Sequence, residues 1–463
     1  MQNSPAPGSK PDNSTDSPDD NRPYRALFRQ AWPVMVGQMA VMANGIVDSV
    51  MAGRADARTL AAVAVGNAAY ISLYVGLMGI LLGLTPLASR AFGAKDHRHI
   101  GELAAQSLYI AAALAALGCT ALLLPDPILA LAEAPPALEA DIRSYLQAIA
   151  FGLPAALCFR VFHALNQAIS TPAVVMRIQI LMLGVKIPLN AWLIWGGFGM
   201  PALGAAGCGW STTCIMWMGC LISAALWFTN PRYRPLRQNR GLRAPQPRLL
   251  KALLAMGLPI GGAYLIEVTA FTMVAILIAR FGEAVVAGHQ IVANLTATAY
   301  MLPLSLANAT TVLAAQHLGA GHSRAARSAV LTGLKTAAGC ALLVVLLYGS
   351  ARHLLVGAYT SDAETAAQAL ALIPWILAYH LIDAVQTLCT FALRAWGVST
   401  APMVVYAVCL WGLGLGGGVV LGIQAKPPLM AEGFWMAATA SLLLAGLILA
   451  SLLWVRMQRH PVR

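Results

Sequence analysis

The sequence has 463 residues, of which 59% are hydrophobic and only 10% are charged, with a formal net charge of +12. A soluble protein would carry about 25% charged residues, so this composition excludes a water-soluble globule and indicates an integral membrane protein. The mean hydropathy of +0.69 supports the same conclusion. Because the apolar runs are long and continuous rather than alternating, they predict transmembrane α-helices and not a β-barrel.

The positive charge does not indicate a nucleic-acid partner. The basic residues sit in the segments between apolar runs, which is the pattern that the positive-inside rule describes for membrane proteins. No soluble stretch combines a basic patch with exposed aromatic residues. We therefore expect the lipid bilayer, and no nucleic acid, as the partner of this surface.

The chain opens with a polar segment. Residues 1–22 are rich in Pro, Ser and Asp, which is typical of disorder, and they lack the basic start and short apolar core of a signal peptide. We interpret residues 1–24 as a disordered cytoplasmic tail.

Twelve apolar spans follow, bounded by Gly, Pro or charged residues, and we interpret each as a transmembrane helix. Their approximate limits are 30–53, 60–88, 101–124, 139–163, 172–196, 202–228, 249–280, 285–316, 327–350, 365–394, 402–423 and 430–455.

The loop charges predict the orientation. One side carries the basic excess: Arg22, Arg25, Arg29, Arg90, Lys95, Arg98, the seven basic residues from Arg232 to Lys251, Arg324, Arg327, Arg456, Arg459 and Arg463. The other side carries six acids, Asp126, Glu133, Glu139, Asp362, Glu364 and Glu432, and fewer basic residues, Arg54, Arg58, Arg280 and Lys426. Both termini should therefore be cytoplasmic.

The two halves of the chain repeat. A shift of 226 residues without a gap aligns Pro33 with Pro259, Arg54 with Arg280, and Gly93-Ala94 with Gly319-Ala320. We predict an N lobe at 25–228 with six helices, a basic cytoplasmic linker at 229–248, and a C lobe at 249–463 with six more. An even number of spans per repeat puts a pseudo-twofold axis along the membrane normal, as in some secondary transporters.

The eight cysteines all fall in or beside apolar runs, and none shows C-x-x-C spacing. We interpret them as small buried side chains rather than as disulfides or metal ligands.

Four charged residues lie well inside predicted helices: Asp48, Lys186, Glu267 and Asp383. Ionisable groups at membrane depth are expensive and mark functional sites. Glu267 and Asp383 follow Pro259 and Pro374 by eight and nine residues, which gives them a similar depth if both helices start on the same side of their prolines. A carboxylate pair could coordinate a hard cation or share a proton; the alternative is a structural hydrogen bond between helices.

Lys186 allows two interpretations. Its ammonium group could pair with Asp48 as a fixed internal cation, or its side chain could extend to the membrane surface. Tyr300, with its ring and hydroxyl, could help to hold a cation in the eighth helix.

Motifs for other activities are absent from the sequence. It contains no G-x-x-x-x-G-K-[ST] phosphate loop, no H-E-x-x-H and no G-x-S-x-G. We expect no enzymatic activity and no cofactor, and an ion gradient rather than ATP as the source of energy.

The chain resembles the multidrug and toxic compound extrusion (MATE) transporters of the bacterial NorM type. The motifs that carry the resemblance are VDSVMAGR with LAAVAVG (47–66), PLASRAFGA (86–94), IPLN (187–190), GFGMPALGAAGCG (197–209), GLPIGGAYLIEVTAF (257–271), FGEAVVAGHQ (281–290), and IDAVQ followed by LR (382–394).

The resemblance implies a multi-pass protein of the bacterial inner membrane that exports cationic amphiphilic drugs or dyes in exchange for Na⁺ or H⁺ by alternating access. It points to Glu267 and Asp383, with Tyr300 nearby, as the C-lobe cation site, which would bind Na⁺ if the protein is sodium-coupled. It assigns Asp48, with Asn190 and Lys186, to the ionisable site of the N lobe, and Gln290, Tyr264 and Gln38 to the substrate cleft. Relatives often carry Asn at position 186, and a lysine there would compete with a cation on Asp48.

Three other functions remain open on this frame. A lipid-linked oligosaccharide flippase would require several arginines in the central cleft, where the sequence places acids. A metabolite exporter of the same family is compatible with the sequence, whereas a membrane-embedded transferase would require a nucleophile or paired acids in a loop. We expect a monomer.

Overall fold

The computed structural model describes residues 23–127, 129, 135–197, 199–237 and 244–459. The predicted tail at 1–22 lies outside these residues, as do Arg22, Glu133, Arg240, Arg243 and Arg463, which entered the loop-charge analysis. Pro23 and Tyr24, at the end of the predicted tail, are the first residues of a helix. Proline suits that position because its missing N–H would have no helical partner there.

The described chain consists mainly of long helices, numbered here in chain order. They are α1 Pro23–Ala55, α2 Ala57–Gly93, α3 His97–Leu123, α4 in two segments Pro136–Ala150 and Leu153–Ala168, α5 Pro172–Trp195, α6 Gly204–Thr229, α7 Pro247–Ile278, α8 Glu283–Gly319, α9 Ser323–Ser350, α10 Ala363–Ala395, α11 Thr400–Gln424 and α12 Met430–Arg459.

Each predicted span coincides with one of these helices, and the prediction of an all-α membrane protein is confirmed. Among the described residues, ten helices are long and apolar enough to cross a membrane, and the two segments of α4 provide an eleventh span if counted as one. Helix α8 is not among them, although it has 37 residues. Its hydroxyl residues, such as Ser305 and Thr310, are buried and donate to carbonyls one turn back, so this helix can be more polar than a lipid-facing one.

Helix α4 is bent by 45° between its two segments. Pro154 follows the bend, and because it has no N–H it cannot donate to the Ala150 carbonyl. In a membrane such carbonyls need protein donors. Side chains of α3 and α6 supply them: Cys119 donates to Ala150 at 3.2 Å, Thr213 to Ala148 at 2.7 Å, and Trp217 to Phe151 at 2.9 Å.

All eight cysteines are free thiols. Cys208, Cys389 and Cys409 are buried, as predicted, whereas Cys214 is exposed on α6 and the other four, Cys119, Cys158, Cys220 and Cys340, are half-buried. The prediction of burial is wrong for Cys214 because it lies between Trp210 and Trp217 on an apolar outer surface, where a thiol does not need to be shielded from water.

Two large hydrophobic cores divide along the chain. One contains buried residues from Met51 to Leu253, and the other contains buried residues from Ala263 to Met457. The start of α7 therefore packs with the N-lobe helices. Leu27 of α1 is equivalent to Leu253 of α7 under the 226-residue shift, and it packs with α8 and α10 of the second half. The first two turns of α1 and of α7 thus each pack against helices of the opposite half, and each ties one half to the other.

The halves approach most closely on one side of the bundle, which we call the terminal side because it carries the start of α1 and the end of α12. A Cβ atom on Gly93 of α2 would collide with the backbone of Gln316 on α8. A Cβ atom on Gly319 of α8 would collide with the backbone of Arg90 on α2. Glycine lets the two helix backbones touch at both places, so the bundle is closed on the terminal side.

Candidate functional site

Helix α10 carries a stripe of polar residues along one face. Asp383, Gln386, Thr387, Thr390 and Arg394 are spaced by three or four residues or are adjacent, so that all five lie on the same side of the helix. All five are buried, and Asp383 is only 6% exposed. Buried polar groups inside an apolar bundle need partners from neighbouring helices.

Tyr406 at the start of α11 is the main partner of this stripe. The Gln386 amide donates to the Tyr406 hydroxyl at 2.6 Å and to the Thr390 hydroxyl at 3.2 Å. The Tyr406 and Thr390 hydroxyls are themselves 3.2 Å apart. The Thr387 hydroxyl donates to the Asp383 carboxylate at 3.2 Å. This network holds α10 against α11 and orients the Asp383 carboxylate.

Glu267 on α7 lies within electrostatic reach of this stripe. Its carboxylate is close enough to that of Asp383 for the two like charges to repel each other, and close enough to the Arg394 guanidinium to be attracted by it. Glu267 is half-buried, unlike Asp383. The structure therefore brings together the two acids that the sequence singled out in the C lobe, and adds a buried cation beside them.

The depth argument behind this pairing used a wrong premise. The chain reverses its direction three times between α7 and α10, so these two helices run in opposite directions. Their prolines therefore lie on opposite sides of the two acids. Pro259 lies on the terminal side of Glu267, whereas Pro374 lies on the far side of Asp383. The two acids thus reach a similar depth from opposite sides of the bundle.

Aromatic side chains surround the acids. Tyr264, one turn before Glu267 on α7, and Tyr300 on α8 are both half-buried, and Tyr300 lies within electrostatic reach of Glu267 and Asp383. The Arg394 guanidinium lies 3.8 Å from the ring centroid of Phe391 and 5.7 Å from that of Tyr264. These distances are typical of cation–π contacts, so the rings help to hold the buried guanidinium.

A second cluster lies in the first half of the chain. The Lys186 ammonium forms an ion pair with Asp48 at 2.9 Å and donates to the Thr212 hydroxyl at 2.5 Å. The Asn190 amide donates to the other oxygen of Asp48 at 2.8 Å. Lys186 is 1% exposed and Asn190 is fully buried. The cluster joins α1, α5 and α6, and it decides between the two interpretations of Lys186: the side chain pairs with Asp48 and does not extend to the surface.

The structure connects the remaining predicted cleft residues less closely to these acids. Gln38 is half-buried on α1, next to the glycine that packs against Gln179 of α5. Gln290 is exposed on α8, where it donates to Asn294 at 3.4 Å. Their role in binding a substrate stays a prediction.

Sequence reasoning missed several members of both clusters: Gln386, Thr387, Thr390, Arg394 and Tyr406 in one, and Thr212 in the other. The α10 residues had a readable signal, since a polar stripe at helical spacing from Asp383 inside an apolar span is uncommon. Thr212 and Tyr406 had none, because each lies on a different helix from its partner.

The chemistry of the clusters suits small cations. Among the described residues, no three His, Cys, Asp or Glu side chains gather into a group that could hold a metal ion. The C-lobe cluster instead offers two carboxylates with hydroxyl and amide oxygens. Such oxygen donors can take a proton or a hard cation.

Comparison with known proteins gives the family. The MatE family model matches residues 33–192 and 259–420. The probable multidrug resistance protein NorM of Aromatoleum aromaticum is 39% identical over 437 residues, which is 94% of each chain. The multidrug resistance protein PmpM of Pseudomonas aeruginosa is 35% identical, over 92% of this chain and 90% of its own.

Solved structures share the fold. A MOP superfamily transporter from Pyrococcus furiosus superposes with a TM-score of 0.85 at 18% identity, over 95% of this chain and 96% of its own. The eukaryotic MATE transporter AtDTX14 superposes with a TM-score of 0.83 at 16% identity, over 95% and 98%. With two matched segments that fall one in each half and relatives that align along almost the whole chain, this multi-pass membrane protein belongs to the MatE family.

Proposed function

We propose that this protein is a secondary active multidrug efflux transporter of the bacterial inner membrane, which exports cationic amphiphilic compounds in exchange for Na⁺ or H⁺. Its relatives are named as multidrug resistance proteins. The observation that carries the proposal is the pair of Glu267 and Asp383, which lie on two membrane-region helices within electrostatic reach of each other. Arg394 offsets one of the two negative charges, and the other favours uptake of a cation or a proton.

The proposed cycle uses this remaining negative charge. A Na⁺ ion or a proton enters between Glu267 and Asp383 and neutralises part of their charge. The attraction of the site for a cationic drug falls, and the drug leaves on the side from which the ion came. Because one cluster with two acids cannot satisfy both cations, ion uptake and drug release are coupled. Tyr264 and Tyr300 would contact the drug, since aromatic faces bind organic cations.

The closed terminal side gives the proposal a direction. If this side faces the cytoplasm, as the loop charges predict, the described conformation is closed to the cytoplasm. The opposite side would then release drug and admit the ion. We also propose that the protein acts as a monomer, with one ion site in the C lobe.

The flippase alternative is less well supported. A polyanionic headgroup would need cationic side chains available in the centre of the bundle. Among the described residues, the buried lysine and arginine side chains are Lys186 and Arg394. Both are engaged, because Lys186 is paired with Asp48 and Arg394 lies against Phe391 and Tyr264. A metabolite exporter on the same frame would use the same ion site, so the transport assay below would separate it from a drug exporter.

The test is ethidium efflux from proteoliposomes under separate Na⁺ and pH gradients, for wild type, Glu267→Gln and Asp383→Asn. We expect one gradient to drive efflux, and each substitution to slow it by at least about tenfold, the effect of about 1.4 kcal/mol on a barrier. Glu432→Gln, at an exposed acid in the first turn of α12, is the matched control and should keep the wild-type rate. Gradient-driven efflux that survives in Glu267→Gln would contradict the proposed ion site, and folded wild type that moves no dye would favour a metabolite.

A further inference from the structure

Lys186 is among the largest fully buried side chains of the described residues. A buried lysine is unusual, since removing an ammonium group from water costs on the order of several kcal/mol unless good contacts compensate for it. Here the ammonium nitrogen has one ionic contact and one hydrogen bond, at 2.9 Å to Asp48 and 2.5 Å to Thr212.

A hydrogen bond to the backbone orients the Thr212 hydroxyl. Its proton goes to the Cys208 carbonyl at 3.0 Å, so the lone pairs of its oxygen are left for Lys186. Asn190 holds the Asp48 carboxylate from the other side through its amide nitrogen. Helices α1 and α6 thus each present an oxygen atom to one point, and the Lys186 nitrogen from α5 occupies that point.

One oxygen of this cluster has no partner. The Asn190 side-chain carbonyl is buried and accepts no hydrogen bond, although the residue is 0% exposed. The amide orientation is consistent with its surroundings, because turning it over would aim the carbonyl at the Asp48 carboxylate. The orphaned carbonyl is therefore a spare oxygen of the residue that holds Asp48, in a place where a buried acceptor normally has a partner.

An ammonium group and an alkali-metal ion make similar demands on a protein. Both carry one positive charge in a compact, strongly hydrated form, and both are bound by carboxylate, hydroxyl and amide oxygens. The difference is that the ammonium of Lys186 is tethered to α5 and cannot leave.

We propose that Lys186 is a tethered cation that permanently fills an alkali-metal-type site formed by Asp48, Asn190 and Thr212. The N lobe thereby carries its own counter-charge and takes up no ion during transport. Ion exchange is then confined to the C lobe. This last consequence rests on the proposed function, whereas the occupancy of the site by the ammonium group is independent of it.

The proposal is tested by Na⁺ binding rather than by transport, so that its failure is distinct from a failure of the proposed function. Purified protein in lipid nanodiscs is titrated with radioactive Na⁺ at constant pH. The background is Glu267→Gln/Asp383→Asn, which removes both C-lobe acids. We expect this background to bind no Na⁺ while Lys186 is present.

Adding Lys186→Asn to the background should create one Na⁺ site, since the asparagine vacates the position of the ammonium and adds an amide oxygen. Further addition of Asp48→Asn should abolish that site. Lys335→Asn, at an exposed lysine of α9, is the matched control and should create none. The proposal is overturned if the background already binds Na⁺ at the N lobe, or if the folded Lys186→Asn protein binds none.

Lys186→Asn leaves Asp48 without its counter-ion and could lower stability. Thermal unfolding with and without NaCl provides the second measurement, because a ligand that binds only the folded state raises the unfolding temperature. We expect NaCl to raise the unfolding temperature of the Lys186→Asn protein, relative to the same concentration of choline chloride, and to leave the background protein unchanged. An equal response of both proteins would refute the proposal.

Discussion

Arg90 and Gln316 are 226 residues apart and play the same part in the two halves of the protein. The Arg90 guanidinium donates to the carbonyl of Ala395 at the end of α10, at 2.9 Å. The Gln316 amide donates to the carbonyl of Ala168 at the end of α4, at 2.8 Å. Each residue thus satisfies a helix end that belongs to the opposite half, and the two bonds together close the terminal side.

These two bonds should stabilise the closed terminal side, because the carbonyls at a helix end have no partner within the helix. We expect Arg90→Ala/Gln316→Ala to shift the protein towards a state open on that side. Each bond contributes roughly 0.5–3 kcal/mol. The measurement is the spin-label distance between cysteines at Ala94 and Ala320, two exposed equivalent positions, which should lengthen and broaden. Arg98→Ala, which breaks only an exposed pair with Glu102, should leave it unchanged; an unchanged distance in the double variant would rule out this role.

The glycines beside these residues should be equally sensitive. In Gly93→Ala and Gly319→Ala the new methyl group meets backbone atoms of the other half, and backbone cannot move aside as a side chain can. Overpacking of this kind costs typically about 1–3 kcal/mol. We expect each substitution to hinder closure of the terminal side and to slow transport.

The check on the glycine variants is the distance between labels at Arg98 and Arg324, together with dye efflux. Gly339→Ala is the control, since a Cβ atom on this α9 glycine meets nothing within 4 Å. If the alanine variants and the control close and transport equally well, the two backbones do not need to touch in the transport cycle.

Tyr406 should matter for stability as well as for the site. Tyr406→Phe removes the acceptor of the Gln386 amide and leaves a buried polar group short of a partner, at a cost of about 1–3 kcal/mol. We expect a lower unfolding temperature in detergent. Adding Gln386→Leu should recover part of the loss, because no amide then remains unsatisfied. Tyr359→Phe, at a residue that is 50% exposed, is the control, and strictly additive effects of the two site substitutions would argue against the bond.

The bend of α4 should depend on Trp217. Trp217→Phe keeps an aromatic ring but removes the indole donor to the Phe151 carbonyl, and in a membrane that carbonyl has no water to replace it. We expect a loss of stability of about 1 kcal/mol, measured as thermal unfolding in nanodiscs. Trp454→Phe, on an exposed position of α12, should have a smaller effect, and equal losses would show that the indole bond contributes nothing specific.

Several features could be read from the sequence because they depend on local composition and spacing. Long apolar runs determine where a chain enters and leaves a bilayer, so the twelve spans coincide with helices. The internal repeat was also visible, and the 226-residue shift aligns Arg90 with Gln316 and Gly93 with Gly319. Asp48, Lys186, Glu267 and Asp383 could be singled out because a charge in an apolar run is costly wherever the run folds.

Other features required the tertiary structure. Asp48 and Lys186 lie on helices far apart in sequence, and nothing local distinguishes a lysine that pairs internally from one that reaches the surface. The meeting of Glu267 with Asp383 depends on two antiparallel helices, whose relative height is set by packing and not by distance from a proline. Pro154 predicts a break in α4, but only the neighbouring helices decide which side chains satisfy the freed carbonyls. The sequence by itself determined which groups need a partner, because desolvation acts on each residue alone; the tertiary structure decided which partner each one has, because hydrogen bonds and ion pairs act only over a few ångströms.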